Sequence, residues 1–204
     1  MLYTIGYSPF FDRNELLNKL KELNISKLYD IRTFAYSNTF PQYNEPEFKK
    51  FLSSYEIKYE FLGNYLGGLT IKEEVRKGIQ SLKDLTKNIK IKKGLNFLYK
   101  QAKKEDIAIM CAEKSPFDCH RFLAVGFLLY KYANLPVKNI INDKVFTVEE
   151  TIKNWKIENN LENLNITDEN LVFQRLNYIY KTLNKREEKF PKKIENLNLF
   201  DIKN

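Results

Sequence analysis

The chain has 204 residues, 43% hydrophobic and 14% aromatic, which suits one sizeable α/β domain with an extension and excludes global disorder. No run approaches the roughly 18 consecutive apolar residues of a membrane helix. The formal charge of +8 is uneven: Lys72 to Lys104 hold eleven basic residues against Glu73, Glu74 and Asp84, which accounts for the whole excess.

Met1 to Gly6 enter a strand pattern at once, without the basic segment and apolar core of a signal peptide. A soluble, cytoplasmic protein with no membrane partner is therefore expected, its two cysteines present as thiols. Residues 2–8 form a β-branched and aromatic run that stops at Gly6 and Ser8-Pro9, a short strand entering a loop. Over 13–24, Leu16, Leu17, Leu20 and Leu23 fall at helical spacing behind Asp12 as N-cap. Residues 27–33 predict a second strand, with Asp30 and Arg32 on one face. A short helix is expected over 45–55, with Pro46 near its first turn, and a third strand over 58–63. Two helical patterns, around 72–86 and 94–104, fill the basic stretch. Residues 106–112 are apolar in the manner of a buried parallel strand, and 116–133 are apolar nearly all round, which predicts one buried helix. A fifth strand follows at 137–141. From Thr147, which makes a capping box with Glu150, the pattern is helical. It includes an amphipathic helix over 170–184 and an Asn- and Lys-rich end expected to fray.

Strands alternating with helices predict a three-layer α/β domain over 1–145: a mainly parallel sheet of about five strands with helices on both faces. A helical C-terminal extension follows over 146–204. Ligands of an open parallel sheet bind beyond the carboxyl ends of its strands, and the unusual residues collect there. Gly6, Tyr7 and Ser8 end the first strand, and Asp30 and Arg32 the second. Tyr65, Gly67 and Gly68 follow the third, and Cys111 and Glu113 end the fourth.

Residues 111–121, Cys-Ala-Glu-Lys-Ser-Pro-Phe-Asp-Cys-His-Arg, hold both cysteines and the only histidine. Ser115 to Asp118 read as a helix start, with Ser115 as N-cap, Pro116 at the first position and Asp118 reaching back. A helix N-terminus at the rim predicts an anion site, to which Arg32 and Arg121 add a fork for phosphate or carboxylate. Arg121 fits a buried ion pair with Asp30 or Glu113 equally well. The cysteines admit three readings. Cys111, at a strand end near a helix N-terminus, has the setting of an activated nucleophile. Cys111, Glu113, Cys119 and His120 are all metal-ligand types, although Cys-x-Glu-x5-Cys-His matches no common zinc spacing, and no cofactor is assigned. Alternatively both thiols are small hydrophobes, Cys119 packed one turn into a helix. Other mechanisms are excluded. A phosphatase Cys-x5-Arg loop needs arginine where Phe117 stands, and Gly63-x3-Gly67-Gly68 matches neither the dinucleotide fingerprint nor a P-loop.

With YTIGYS, YDIR, LGNYLGG and IMCAEKSPFDCHR in this order, the chain resembles the domain of unknown function 488 family over about residues 1 to 145. The resemblance puts Gly6, Ser8, Asp30, Arg32, Ser37, Pro41, Tyr65, Gly67, Gly68, Cys111, Glu113, Cys119, His120 and Arg121 on signature positions. Tyr7 stands where the family's first motif usually has histidine, which leaves His120 as the one imidazole.

Three functions follow as expectations. The first is an enzyme, a hydrolase or transferase, acting on a phosphate-bearing or nucleic-acid-related substrate. In it Arg32, Arg121, Gly6, Tyr7, Ser8, Tyr65, Gly67 and Gly68 bind, while Cys111, Glu113, Asp30 and His120 supply chemistry. The second is a non-catalytic nucleotide or nucleic-acid module that uses Lys72–Lys104, a stretch that also fits a plain solvated face. The third is a metal-binding protein using the Cys/Glu/Cys/His cluster.

Overall fold

A computed structural model describes residues 1–182. Strands β1 (Leu2–Gly6), β2 (Lys27–Asp30), β3 (Lys58–Phe61), β4 (Ile107–Cys111), β5 (Val137–Ile141) and β6 (Lys144–Thr147) form one sheet in the order β3-β2-β4-β1-β5-β6. The first five are parallel and β6 is antiparallel to β5. This sixth strand exceeds the expected number. It is only four residues long, and the chain reaches it through Asn142, whose φ of 55° is left-handed and suits a tight hairpin.

Helices cover both faces. On one, α1 (Arg13–Glu22) and α2 (Glu47–Ser53) bury Leu16, Leu17, Leu20, Phe48 and Leu52 against Ile5, Leu28 and Met110. Full burial of one such side chain is worth about 1.5–3 kcal/mol. The Asp12 carboxylate caps α1 by accepting from the Asn14 N–H at 2.9 Å, as its position predicted. The other face carries α3 (Gly63–Leu66), α4 (Gly68–Arg76), α5 (Ile89–Ala102), α6 (Phe127–Ala133), α7 (Val148–Glu158) and α8 (Asp168–Thr182). Val148, Ile152, Leu171, Val172, Leu176 and Ile179 share one buried cluster with Leu2 and Ile109, so the C-terminal helices pack on the core of the sheet. The frayed end expected beyond the last helix lies outside the described residues. Among the described residues no helix is long and apolar enough to cross a membrane.

The single helix expected over 116–133 is broken into three pieces. A 3₁₀ turn (Pro116–Asp118) is followed by a wide π-type segment (Arg121–Gly126) and then by α6. Between the first two, Cys119 has extended backbone (φ −140°, ψ 137°), which no helix can continue through. Ser115 caps the turn by accepting from the Phe117 N–H, as expected, but Asp118 does not reach back. It pairs instead with Arg175 of α8.

In the basic stretch, α5 turns Ile91, Leu95, Leu98 and Ala102 inward and leaves Lys90, Lys92, Lys93 and Lys100 exposed. Lys77 and Lys87 are paired with Glu74 and Asp84.

Candidate metal centre

β4 and β2 are neighbours, with Asp30 opposite Met110, so the chain leaving each strand emerges on the same rim. Cys111 is the last residue of β4. The break at Cys119 then turns the chain back toward it. The Sγ atoms of Cys111 and Cys119 and a ring nitrogen of His120 all lie within 4.8 Å of one another, and all three residues are buried. Cys119 Sγ lies 2.8 Å from Glu113 Oε2, and His120 Nδ1 stands 3.9 Å from the same sulfur. The other ring nitrogen, Nε2, is 2.9 Å from the Ile31 carbonyl oxygen. A carbonyl can only accept, so a proton belongs on Nε2, and Nδ1 is the nitrogen turned toward the Cys119 sulfur. Glu113 as a residue is exposed, but its carboxylate turns inward onto Cys119.

The two thiols are not equivalent. Burial opposes ionisation of Cys119, but the Cys111 thiol, the Arg121 charge and His120 together hold its pKa well below the ordinary value. The Arg121 N–H also points at its sulfur, at 3.5 Å. Cys111 is pushed well above the ordinary value, first by its hydrogen bond to Cys119 and then by burial. These directions favour Cys119 as the more acidic thiol, whereas the sequence offered Cys111 as a candidate nucleophile and Cys119 as a packing residue. The helix meant to bury Cys119 and to lend Cys111 its N-terminus is absent at that point. Burial also raises the Glu113 carboxyl, with Cys119 adding to it. His120 rises despite burial because of the Cys119 charge beside it.

The arginines of the rim are engaged internally. Arg32 Nε lies 3.0 and 2.9 Å from the two carboxylate oxygens of buried Asp30, and Nη2 donates to Asp30 Oδ2 at 2.5 Å and to the Tyr43 carbonyl at 2.8 Å. Tyr59 donates to the same carboxylate at 2.6 Å. Asp30 is thereby a structural acceptor, and its charge keeps the Arg32 pKa raised against the effect of burial. Arg121 is fully buried and donates to the Glu113 and Lys114 carbonyls at 2.6 and 3.0 Å, which fixes the loop that carries Glu113. Each guanidinium keeps one nitrogen, Arg32 Nη1 and Arg121 Nε, without a hydrogen-bond partner among the described residues.

Gly6 lies opposite Cys111, and a Cβ on it would stand 1.8 Å from the Glu113 carbonyl oxygen. A Cβ on Gly68, at the start of α4, would meet the Tyr180 hydroxyl at 3.2 Å and the His120 ring at 3.4 Å. The ring of Tyr7 stacks on Tyr43 at 4.6 Å, and the Arg32 guanidinium lies 5.1 Å from its centre. Ser8 pairs through its N–H with the Ala112 carbonyl, Gly67 packs on Thr33, and Tyr65 is exposed. Sequence reasoning missed Tyr180 on α8, whose pKa is raised by burial and then by the charges of Cys119, Cys111 and Glu113. Its spacing with Leu176 and Ile179 resembles an ordinary apolar stripe, so no signal singled it out.

These features define a doubly covered α/β protein with a thiol–imidazole–carboxylate cluster at the carboxyl edge of its sheet. The chain belongs to the family described as domain of unknown function DUF488, whose model matches residues 12–128. No curated protein and no solved structure matches it.

Proposed function

We propose that the cluster is a zinc-class metal centre in which Cys111, Cys119 and His120 hold the ion and Glu113 serves as base to a water in the remaining position. The observation behind it is the convergence of two sulfurs and an imidazole nitrogen within 4.8 Å. In a tetrahedron with metal–ligand distances of about 2.0–2.3 Å the ligands stand about 3.5–3.8 Å apart. The three atoms therefore need to close by on the order of an ångström. The Ile31 carbonyl supports the assignment, because a ligating imidazole ordinarily gives its second N–H to such an acceptor. Three protein ligands with a carboxylate beside them would suit a hydrolytic site, in which the ion would acidify a bound water and Glu113 would take its proton.

The anion-site reading has less support. Both guanidinium groups already serve acceptors of the protein itself, and the turn at Pro116 is three residues long with its first free N–H capped by Ser115.

Metal content of the purified protein and of cobalt-substituted protein tests the proposal. One ion per chain is expected, with a sulfur-to-cobalt charge-transfer band. Cys119→Ser and His120→Ala should lose the ion, while Glu113→Gln keeps it. A chain that takes up no stoichiometric ion, or a cobalt spectrum lacking the thiolate band, would overturn it.

A further inference from the structure

The rim beside the cluster carries an unusual surface. Phe11 is 78% exposed, Phe34 69% and Tyr36 64%, and Tyr65 and Leu69 are exposed as well. Each sits on a connection leaving β1, β2 or β3, and these strands are parallel, so all five belong to the carboxyl edge. Residues 33–44, which carry Phe34 and Tyr36, contain no charged side chain.

The platform is held in place. The Ser37 N–H donates to Asn44 Oδ1 at 2.6 Å, Gln42 Nε2 donates to the Phe11 carbonyl at 2.8 Å, and the Leu69 N–H donates to Thr33 Oγ1 at 3.1 Å. Behind Phe11, ring contacts run inward through Phe40 and Tyr7 to Tyr43. Exposed aromatic rings grouped on pinned backbone are the kind of apolar patch that marks an interaction site.

The charge identifies the partner. The whole excess of +8 lies in the segment that begins just after Leu69, and Lys93 lines a 320 Å³ pocket together with Tyr65 and Phe97, with Glu60 at its side and Lys58 3.8 Å from that carboxylate. Aromatic faces beside lysines suit a chain of flat rings joined by phosphates. A duplex hides its base faces, whereas a single strand offers them for stacking.

The geometry points to a single-stranded nucleic acid docked on Phe11, Phe34, Tyr36 and Tyr65, with its backbone following the lysines of α5. This goes beyond the metal reading and uses none of its ligands. Gly68, at the edge of the platform, abuts His120, so a bound strand passes next to the cluster.

The test is fluorescence anisotropy with a labelled oligothymidylate of about 20 nucleotides, longer than the roughly 4–16 covered by one such site. The same length of duplex and polyglutamate serve as competitors, with salt varied from about 50 to 200 mM. The single strand should bind better than duplex or polyglutamate. The double variant Phe34→Ala/Tyr36→Ala, altered only at exposed side chains, should bind about tenfold or more weakly with an unchanged salt slope. Reversing Lys90, Lys92 and Lys93 to Glu should flatten the slope. Binding should survive a chelator, so loss of the metal reading leaves this one testable, and the converse holds. No binding by the parent at low salt overturns the proposal. So does equal affinity for duplex with no effect of the aromatic variant, and so does polyglutamate competing equally, which would mark an acidic protein partner.

Discussion

At the scale of single residues, the surroundings of Cys119 decide its chemistry more than its burial does. With metal removed by a chelator, alkylation followed by peptide mapping should label Cys119 before Cys111. The sign follows from the shifts: a depressed pKa keeps Cys119 a thiolate below the ordinary thiol value, whereas Cys111 becomes a thiolate only above it. As pH falls, labelling of Cys111 should disappear first. Faster labelling of Cys111 would mean that Arg121 and His120 do not set the order. Asp30 makes a different claim, on stability. It accepts from Arg32 and Tyr59 while fully buried, so Asp30→Asn leaves a buried guanidinium short of its counter-charge. Breaking one side of such a pair costs roughly 3–5 kcal/mol, which a shift in the urea midpoint at constant slope would report.

At the scale of elements, the site depends on how the ends of β1 and β4 lie against each other. Gly6→Ala puts a methyl into the Glu113 carbonyl, a backbone atom that Arg121 already holds in place. The strain should cost about 1–3 kcal/mol, and thermal melts should show it together with weakened metal uptake. Most elements were legible in the sequence because their signals are local. Asp12 before a leucine stripe, the Thr147–Glu150 box and the apolar run into Cys111 each required only a few neighbours. The convergence of strand ends on one rim was legible as well, once the alternation of strands and helices was clear. The break at Cys119 was not, because no proline or glycine stands between Phe117 and Val125 to stop a helix. Its cause is long-range: Arg121 reaches back to two carbonyls and Arg175 draws Asp118 away. The engagement of Arg32 by Asp30 and Tyr43 was equally hidden, since spacing shows which residues share a face but not which acceptors are already in place.

At the scale of the whole molecule, the C-terminal helices pack into the core of the sheet, which predicts one cooperative unit. Leu176 is fully buried in the core that also contains Leu2 and Ile109. Leu176→Ala should therefore cost about 2–5 kcal/mol of global stability. The single tryptophan, Trp155, stacks on Phe117 with ring centres 4.3 Å apart, and its fluorescence should follow the same urea transition as the circular dichroism of the whole chain. Two separated transitions would instead make the C-terminal helices an independent unit. The chain positions of the three donors bear on assembly in the cell. Cys111, Cys119 and His120 fall within ten consecutive residues, so even an unfolded polypeptide presents them together. An ion that binds both the native and the denatured ensemble shifts the balance between them by less than its affinity implies. On the metal proposal, loading would be able to precede folding on the nascent chain, and melting temperature would be a poor gauge of affinity.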